Sequence, residues 1–438
     1  MHRPLLLALP LALALSCSST SSNPPAAADD PCAGITGTCV GFVAARDDEQ
    51  KIQNALAVGA PGTTFAFSAG TFPFKNPITI ATEKISLRGK GIGKTILDFS
   101  GQLSGSEAVS ITKGSFLAQE LTVRNSKGDA IKIVGADGVT FRRVRAEWTG
   151  VPSKANGAYG LYPVSCKNVL IEESEAFGAS DAGIYVGQSD GIVVHKSLAD
   201  SNVAGIEIEN SHNADVFDNE AHDNTAGILV FDLPGLPTKN GGTVRVFNNK
   251  VHDNNTKNFA AVGDIVGKVP AGTGMLLMAN HDVEVFGNTL TNHGTVSIGI
   301  VSYYVANDDG FDKRDPAYYP YPALVYVHDN TSTGAGTNPD VTNPIGNTLK
   351  VSLKLFPGGH VPDVIYDGIL DDKRAATGKT KNAMDVCVRL GAGQTFTNLK
   401  ASATSGPGAG FPDMTPDATP FACDLPALAP VNVTGAGR

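Results

Sequence analysis

The chain has 438 residues, 34 Lys/Arg against 43 Asp/Glu for a formal charge of −9, and 42% hydrophobic residues. It is too apolar for wholesale disorder, and an acidic balance without a Lys/Arg cluster argues against a nucleic-acid partner, which needs a basic stripe to displace counterions from phosphate. Glycine is enriched, 49 residues or about 11% against a usual ~7%, so a frequently turning chain is expected and long helices are not.

In chain order, His2 and Arg3 precede an apolar run over residues 4–15 that is too short to span a bilayer. It ends in Ala14-Leu15-Ser16-Cys17, which resembles a bacterial lipobox. The resemblance implies a lipoprotein-type signal peptide over 1–16, a lipid on Cys17, and an exported protein held at the outer membrane, on its periplasmic face or at the cell surface. Residues 17–44 read as a tether and N-terminal segment. Export permits disulfides, with Cys32–Cys39 closing a short loop and Cys387–Cys423 a tail. Cys166, among apolar strand residues, reads as a buried thiol. Asp47 to Val58 follows as a short amphipathic helix.

From residue 108 the chain repeats. A small residue followed by apolar-x-apolar recurs at Ala108, Ala130, Gly160, Gly183, Gly205, Gly227, Gly274 and Gly299, with spacings of 22, 30, 23, 22, 22, 47 and 25. A second motif recurs as Val216-Phe217-Asp218-Asn219, Val246-Phe247-Asn248-Asn249, Val285-Phe286-Gly287-Asn288 and Val327-His328-Asp329-Asn330. Short alternating stretches broken by Gly, Asn and Asp every 22 residues cannot hold ordinary helices. They can form coils of a parallel β-solenoid stacked ~4.8 Å apart, with one side-chain parity turned into a shared core and the asparagines laddered at one bend.

On these residues the chain resembles the right-handed parallel β-helix superfamily of pectate-lyase-like proteins over roughly residues 45–340. The resemblance implies an all-β, single-stranded parallel β-helix of ~22-residue coils, the Asp47–Val58 helix capping its first coil. More narrowly, Gly205-Ile206-Glu207-Ile208-Glu209-Asn210 and Gly227-Ile228-Leu229-Val230-Phe231-Asp232 are similar to a family of exported bacterial β-helix lipoproteins, a likeness that supplies no reaction. Residues 341–438 read as an irregular extension, with possible strands at Val351–Leu355 and Asp363–Asp367 and a Pro/Gly-rich tail wrapping the C-terminal end.

Along the repeat, outward positions align into two columns. The first reads Lys132, Tyr162, Tyr185, Glu207, Leu229, Leu276, Val301; the second reads Val134, Val164, Gly187, Glu209, Phe231, Met278, Tyr303. Gln188, Asn210 and Asp232 end successive strands. Insertions at 151–158, 233–242, 255–272 and 306–322 flank this face, so they are expected to wall it into a groove for an extended polysaccharide, with uronate-containing chains among the candidates. Tyr162, Tyr185, Gln188, Asn210, Phe231, Asp232 and Lys132 are the candidate substrate contacts, and Glu207, Glu209 and Tyr185 the candidate catalytic groups. Two outward residues apart on one strand, the glutamates have Cβ atoms ~6.5–7 Å apart, compatible with either geometry of glycoside hydrolysis. With Asp232 they could instead hold Ca²⁺, or they are solvated. A uronate lyase or C5-epimerase would need a base with a cation beside it, and the Asp-Pro-His-Asp sequence of mannuronan epimerases is absent. His222-Asp223 and His252-Asp253 could bind a metal or merely form a turn ladder. Tyr303, Tyr304, Tyr318, Tyr319 and Tyr321, around Phe311, could be a sugar platform or their own loop's packing. The alternative function is a non-catalytic envelope module that binds glycan or protein, or is purely structural. Oligomeric state is left open.

Overall fold

A computed structural model describes residues 30–306, 314–374, 377, 380–401 and 411–433. The expected signal peptide, Cys17 and Phe311 lie outside them. A helix α1 (Glu49–Ala57) starts at Asp48, whose side chain caps the Lys51 amide, and buries Ile52 and Leu56 against the first coil. There Phe42, Phe65, Phe67 and Phe72 pack edge and face. This end is sealed by hydrophobic burial, because an uncovered first coil would expose core and strand edge alike.

Eleven parallel strands form one wall: β1 (Ile78–Ile80), β2 (Glu107–Ile111), β3 (Asp129–Val134), β4 (Tyr159–Val164), β5 (Ala182–Gly187), β6 (Ala204–Glu209), β7 (Ala226–Phe231), β8 (Thr273–Met278), β9 (Val296–Val301), β10 (Val364–Tyr366) and β11 (Phe396–Asn398). The other walls join into one sheet, because Phe116–Arg124 and Asp137–Glu147 run unbroken round the corner between them. Inward Ile, Val, Leu and Ala from both sheets fill one continuous core.

The bends use left-handed residues followed by a ladder. Asp218, Asn248, Gly287 and Asp329 have φ of 54°, 55°, 64° and 51°, a conformation that Asp, Asn and Gly enter at least cost. Each is followed by a buried asparagine: the amide and Nδ2 of Asn219 donate to Asn249 Oδ1, those of Asn249 to Asn288 Oδ1, and those of Asn288 to Asn330 Oδ1, all at 2.9–3.0 Å. A second ladder runs Asn202–Asn224–Asn254 at another bend and ends on His293. His293 is fully buried, and burial lowers its pKa to about 4. Unfolded imidazole takes a proton near 6.5, so the contribution of His293 to stability falls by about 3 kcal/mol as pH drops from 6.5 to 4. Between pH 7 and pH 4 the wild-type protein should lose about that much stability relative to His293→Asn in denaturation; parallel curves would contradict this.

The solenoid continues beyond residue 340. β10 pairs with Ile298–Ile300 of β9, β11 pairs with β10, and Val386–Val388 extends the other sheet. Long insertions hide the period there. Residues 351–355 are not a strand: α3 (Pro344–Val351) follows α2 (Tyr303–Ala306) in chain order, and Leu353–Leu355 is a further helical turn. Cys32–Cys39 and Cys387–Cys423 are disulfides, and Cys166 is free and buried. The tail first packs on the C-terminal coil, where Thr415 pairs with Asn398 of β11 and Phe421 lies against Tyr366 and Phe396. After Cys423 it runs back over an outer column, where Asp424 bonds Tyr326, the Leu428 amide donates to Glu284, the Val431 amide to Asp215, and Val433 packs on Leu170 and Val193.

Candidate functional site

The wall β3–β9 carries the candidate residues. Pairing stacks Lys132, Tyr162, Tyr185, Glu207, Leu229, Leu276 and Gly299 in one outward column, and Val134, Val164, Gly187, Glu209, Phe231, Met278 and Val301 in the other. The last coil differs from expectation: Ile298, not Ile300, faces Met275, which moves Val301 to the second column and puts Tyr303 in α2. Gly299 lies inside β9 and does not open it.

The insertions do not wall an open trench. Residues 255–272 roof it, with Phe259, Ile265, Val266 and Val269 packed on the cluster of Tyr185, Leu229, Phe231 and Met278. Glu207 is 1% exposed and Glu209 7%, so neither is solvated, and Phe231 is buried beneath the roof. Tyr303 and Tyr318 pack edge to face at 5.6 Å, Tyr319 lies 5.4 Å from Tyr321, and the Tyr318 hydroxyl donates to the Asp232 carbonyl. That set packs its own loop.

Three expected substrate contacts are committed elsewhere. Asn210 Nδ2 donates to the carbonyls of Leu233 and Thr238, and its Oδ1 accepts the Leu233 amide, holding the 233–242 insertion. Asp232, fully buried, accepts from the Gly241 amide and from Asn280 Nδ2. Lys132 Nζ lies 3.2 Å from Glu107 and 3.5 Å from Asp129, over the Tyr162 ring. Gln188 is half-buried just past β5. The Ca²⁺ set Glu207–Glu209–Asp232 does not converge: among the described residues, the only three ligating groups within 4.8 Å of one another are Asp200, His222 and Asp223, on another wall. Even there His222 pairs with Asp223 at 2.8 Å, as His252 does with Asp253 and His328 with Asp329 at 2.7 Å. All three aspartates are left-handed, with φ of 54°, 53° and 51°, so the His-Asp pair is a turn device.

What does assemble is a shelf of three tyrosines backed by carboxyls. Tyr159, Tyr162 and Tyr185 have ring centroids 4.3–4.8 Å apart. Tyr159 and Tyr162 are half-buried, whereas Tyr185 is buried. The Tyr159 hydroxyl donates to Asp181 at 3.1 Å, and Tyr185 neighbours Glu209. Burial dominates every carboxyl here. It lifts Glu209 to about 8 despite Tyr185, Asp181 to about 7 despite Tyr159, and Asp129 to about 6 despite Lys132. Glu207 is pushed well above the carboxylate range by burial, with Asp181 and Glu209 adding repulsion. Tyr159 and Asp181 escaped the sequence reading because they sit one and two residues before the repeating Gly160 and Gly183. Asp129, aligned with Tyr159, was the available signal.

Residues 107–265 match the family model described as the right-handed β-helix region. The fold is a right-handed parallel β-helix. Among solved structures, this β-helix is similar to the A-module of a mannuronan C-5 epimerase from Azotobacter vinelandii, at 17% identity over 70% of this chain and 88% of that one, with a TM-score of 0.47. It is also similar to an exopolygalacturonase from Thermotoga maritima, at 13% identity over 70% and 83% with a TM-score of 0.46. A third is a polygalacturonase from Erwinia carotovora, at 13% identity over 68% and 95% with a TM-score of 0.39. Among curated proteins no match is found.

Proposed function

We propose that this β-helix is an exported glycan-binding protein that hydrolyses a glycosidic bond on the tyrosine shelf. The observation that carries the reading is the hydrogen bond of Tyr159 to Asp181, with Glu209 beside Tyr185, next to the partly exposed rings of Tyr159 and Tyr162, which are able to stack on sugar. Hydrolysis requires one carboxyl protonated and another ionised. At neutral pH, Glu209 near 8 supplies the acid and Asp181 near 7 is the group that ionises first. β-Elimination or epimerisation of a uronate would need a cation to stabilise an enediolate, and Lys132, the cation over the Tyr162 ring, is already shared by two carboxylates. A uronate carboxylate would have to share Lys132 with Glu107 and Asp129, so the substrate class is a neutral glycan. The two disulfides support export, and lipidation of Cys17 would place the site at the envelope.

The test is a panel of neutral glycans, alginate and pectate, scored for new reducing ends and for unsaturated product at ~235 nm. Reducing ends from a neutral glycan, lost at least a hundredfold in Glu209→Gln and Asp181→Asn, are expected. Unsaturated product from a uronate would overturn the reading. The near-complete burial of Glu207 and Glu209 favours a second reading, a non-catalytic envelope module, which predicts glycan binding with silence in both channels.

A further inference from the structure

Under the roof lies a cavity that the glycan reading does not use. It is bounded by Leu229, Phe231, Met278 and Val301 of the sheet, Val266 of the roof and Leu349 of α3. Its volume of about 60 Å³ is several times the ~10–15 Å³ that one water needs. The walls are almost wholly carbon, so water has little to bond with there. The space exists because the column Leu229–Leu276 continues as Gly299; a Cβ on Gly299 would come within 3.2 Å of Leu276 Cδ1.

Three polar side chains share the lining: Glu207, Lys268 and Thr273, whose hydroxyl donates to the Pro270 carbonyl. Glu207 lines the cavity, is 1% exposed, and its Oε1 has no hydrogen-bond partner. Buried polar atoms are nearly always paired, so an orphan beside an apolar cavity calls for a partner that the chain does not supply. Lys268, also on the lining, donates to the Ala306 carbonyl at 2.9 Å. We propose that this cavity binds a short aliphatic chain ending in a hydrogen-bond donor, a hydroxyl or an ammonium, with the donor on Glu207 Oε1 and the chain along the Gly299 side.

Two features select that chemistry. An alkyl chain replaces no strongly held water and gains dispersion contacts from the lining. A carboxylate head brings no donor for Glu207 Oε1 and would carry an unpaired charge into the apolar cavity. The proposal does not depend on a glycan reaching the shelf.

The test is calorimetric titration of the full chain at neutral pH with 1-propanol, propylammonium and propanoate. Propanol and propylammonium are expected to bind, propanoate at least tenfold more weakly. Gly299→Leu should abolish propanol binding by filling the space, and Glu207→Leu should weaken it at least fivefold by removing the acceptor. If Gly299→Leu loses its circular dichroism signature, Leu276→Trp serves the same purpose. Failure of all three probes to bind the wild-type protein, equal affinity for propanol and propanoate, or undiminished binding in a folded cavity-filling variant would each overturn the proposal.

Discussion

Asn249→Ala is expected to destabilise the protein by about 3–5 kcal/mol, because it removes the middle rung of a buried ladder. Asn249 Oδ1 accepts both the amide and Nδ2 of Asn219, while its Nδ2 donates to the Val216 carbonyl and to Asn288 Oδ1. Alanine leaves the Asn219 amide and the Val216 carbonyl without these partners in a site 1% exposed, and each buried orphan costs ~1–3 kcal/mol. Coils contact only their neighbours, so the loss has no distant element to compensate it. Urea denaturation measures it, and a loss below about 1 kcal/mol would mean that the ladder merely decorates the bend.

The second large effect is a fall in stability with rising pH. In the unfolded chain, aspartates and glutamates release their protons near pH 4. In the folded protein Glu209 holds its proton to about 8, Asp181 and Asp232 to about 7, and Asp129 and Asp367 to about 6. The folded state therefore binds more protons than the unfolded state between pH 4 and these values. The stabilisation is complete below pH 4 and is lost as pH rises towards 8. Glu209 alone contributes several kcal/mol to that slope, since one pH unit corresponds to about 1.4 kcal/mol per group. Glu209→Gln should therefore match the wild-type protein near pH 4 and exceed its melting temperature near pH 8. Wild-type and variant curves that run parallel from pH 4 to pH 8 would show that the Glu209 carboxyl is not buried as described.

The solenoid was legible because its physics is periodic. A 22-residue recurrence of Gly-Ile-x-Ile and the aligned Asn219, Asn249, Asn288 and Asn330 specify stacked coils without tertiary information. Where insertions interrupt the period, sequence phase failed: the coil at Gly299 slipped by two residues, and β10 and β11 were hidden behind α3. The site was partly legible. Alternation put Glu207 and Glu209 on the outer parity, but parity does not say what lies above a sheet. The roof turned expected solvent into protein, and Asn210 and Asp232 became anchors of an insertion. Tyr159 and Asp181 join the site through side-chain reach at a strand entrance, which no column alignment encodes.

The central claim is that the half-exposed tyrosines, with Asp181 and Glu209 behind them, hold a sugar. Calorimetric titration of the neutral glycan that the panel identifies, against the wild-type protein, Tyr159→Ala and Tyr162→Ala, tests it most directly. Loss of at least tenfold in affinity in both variants, with melting temperatures that remain cooperative, is the expected result. Unchanged affinity in either folded variant would contradict it.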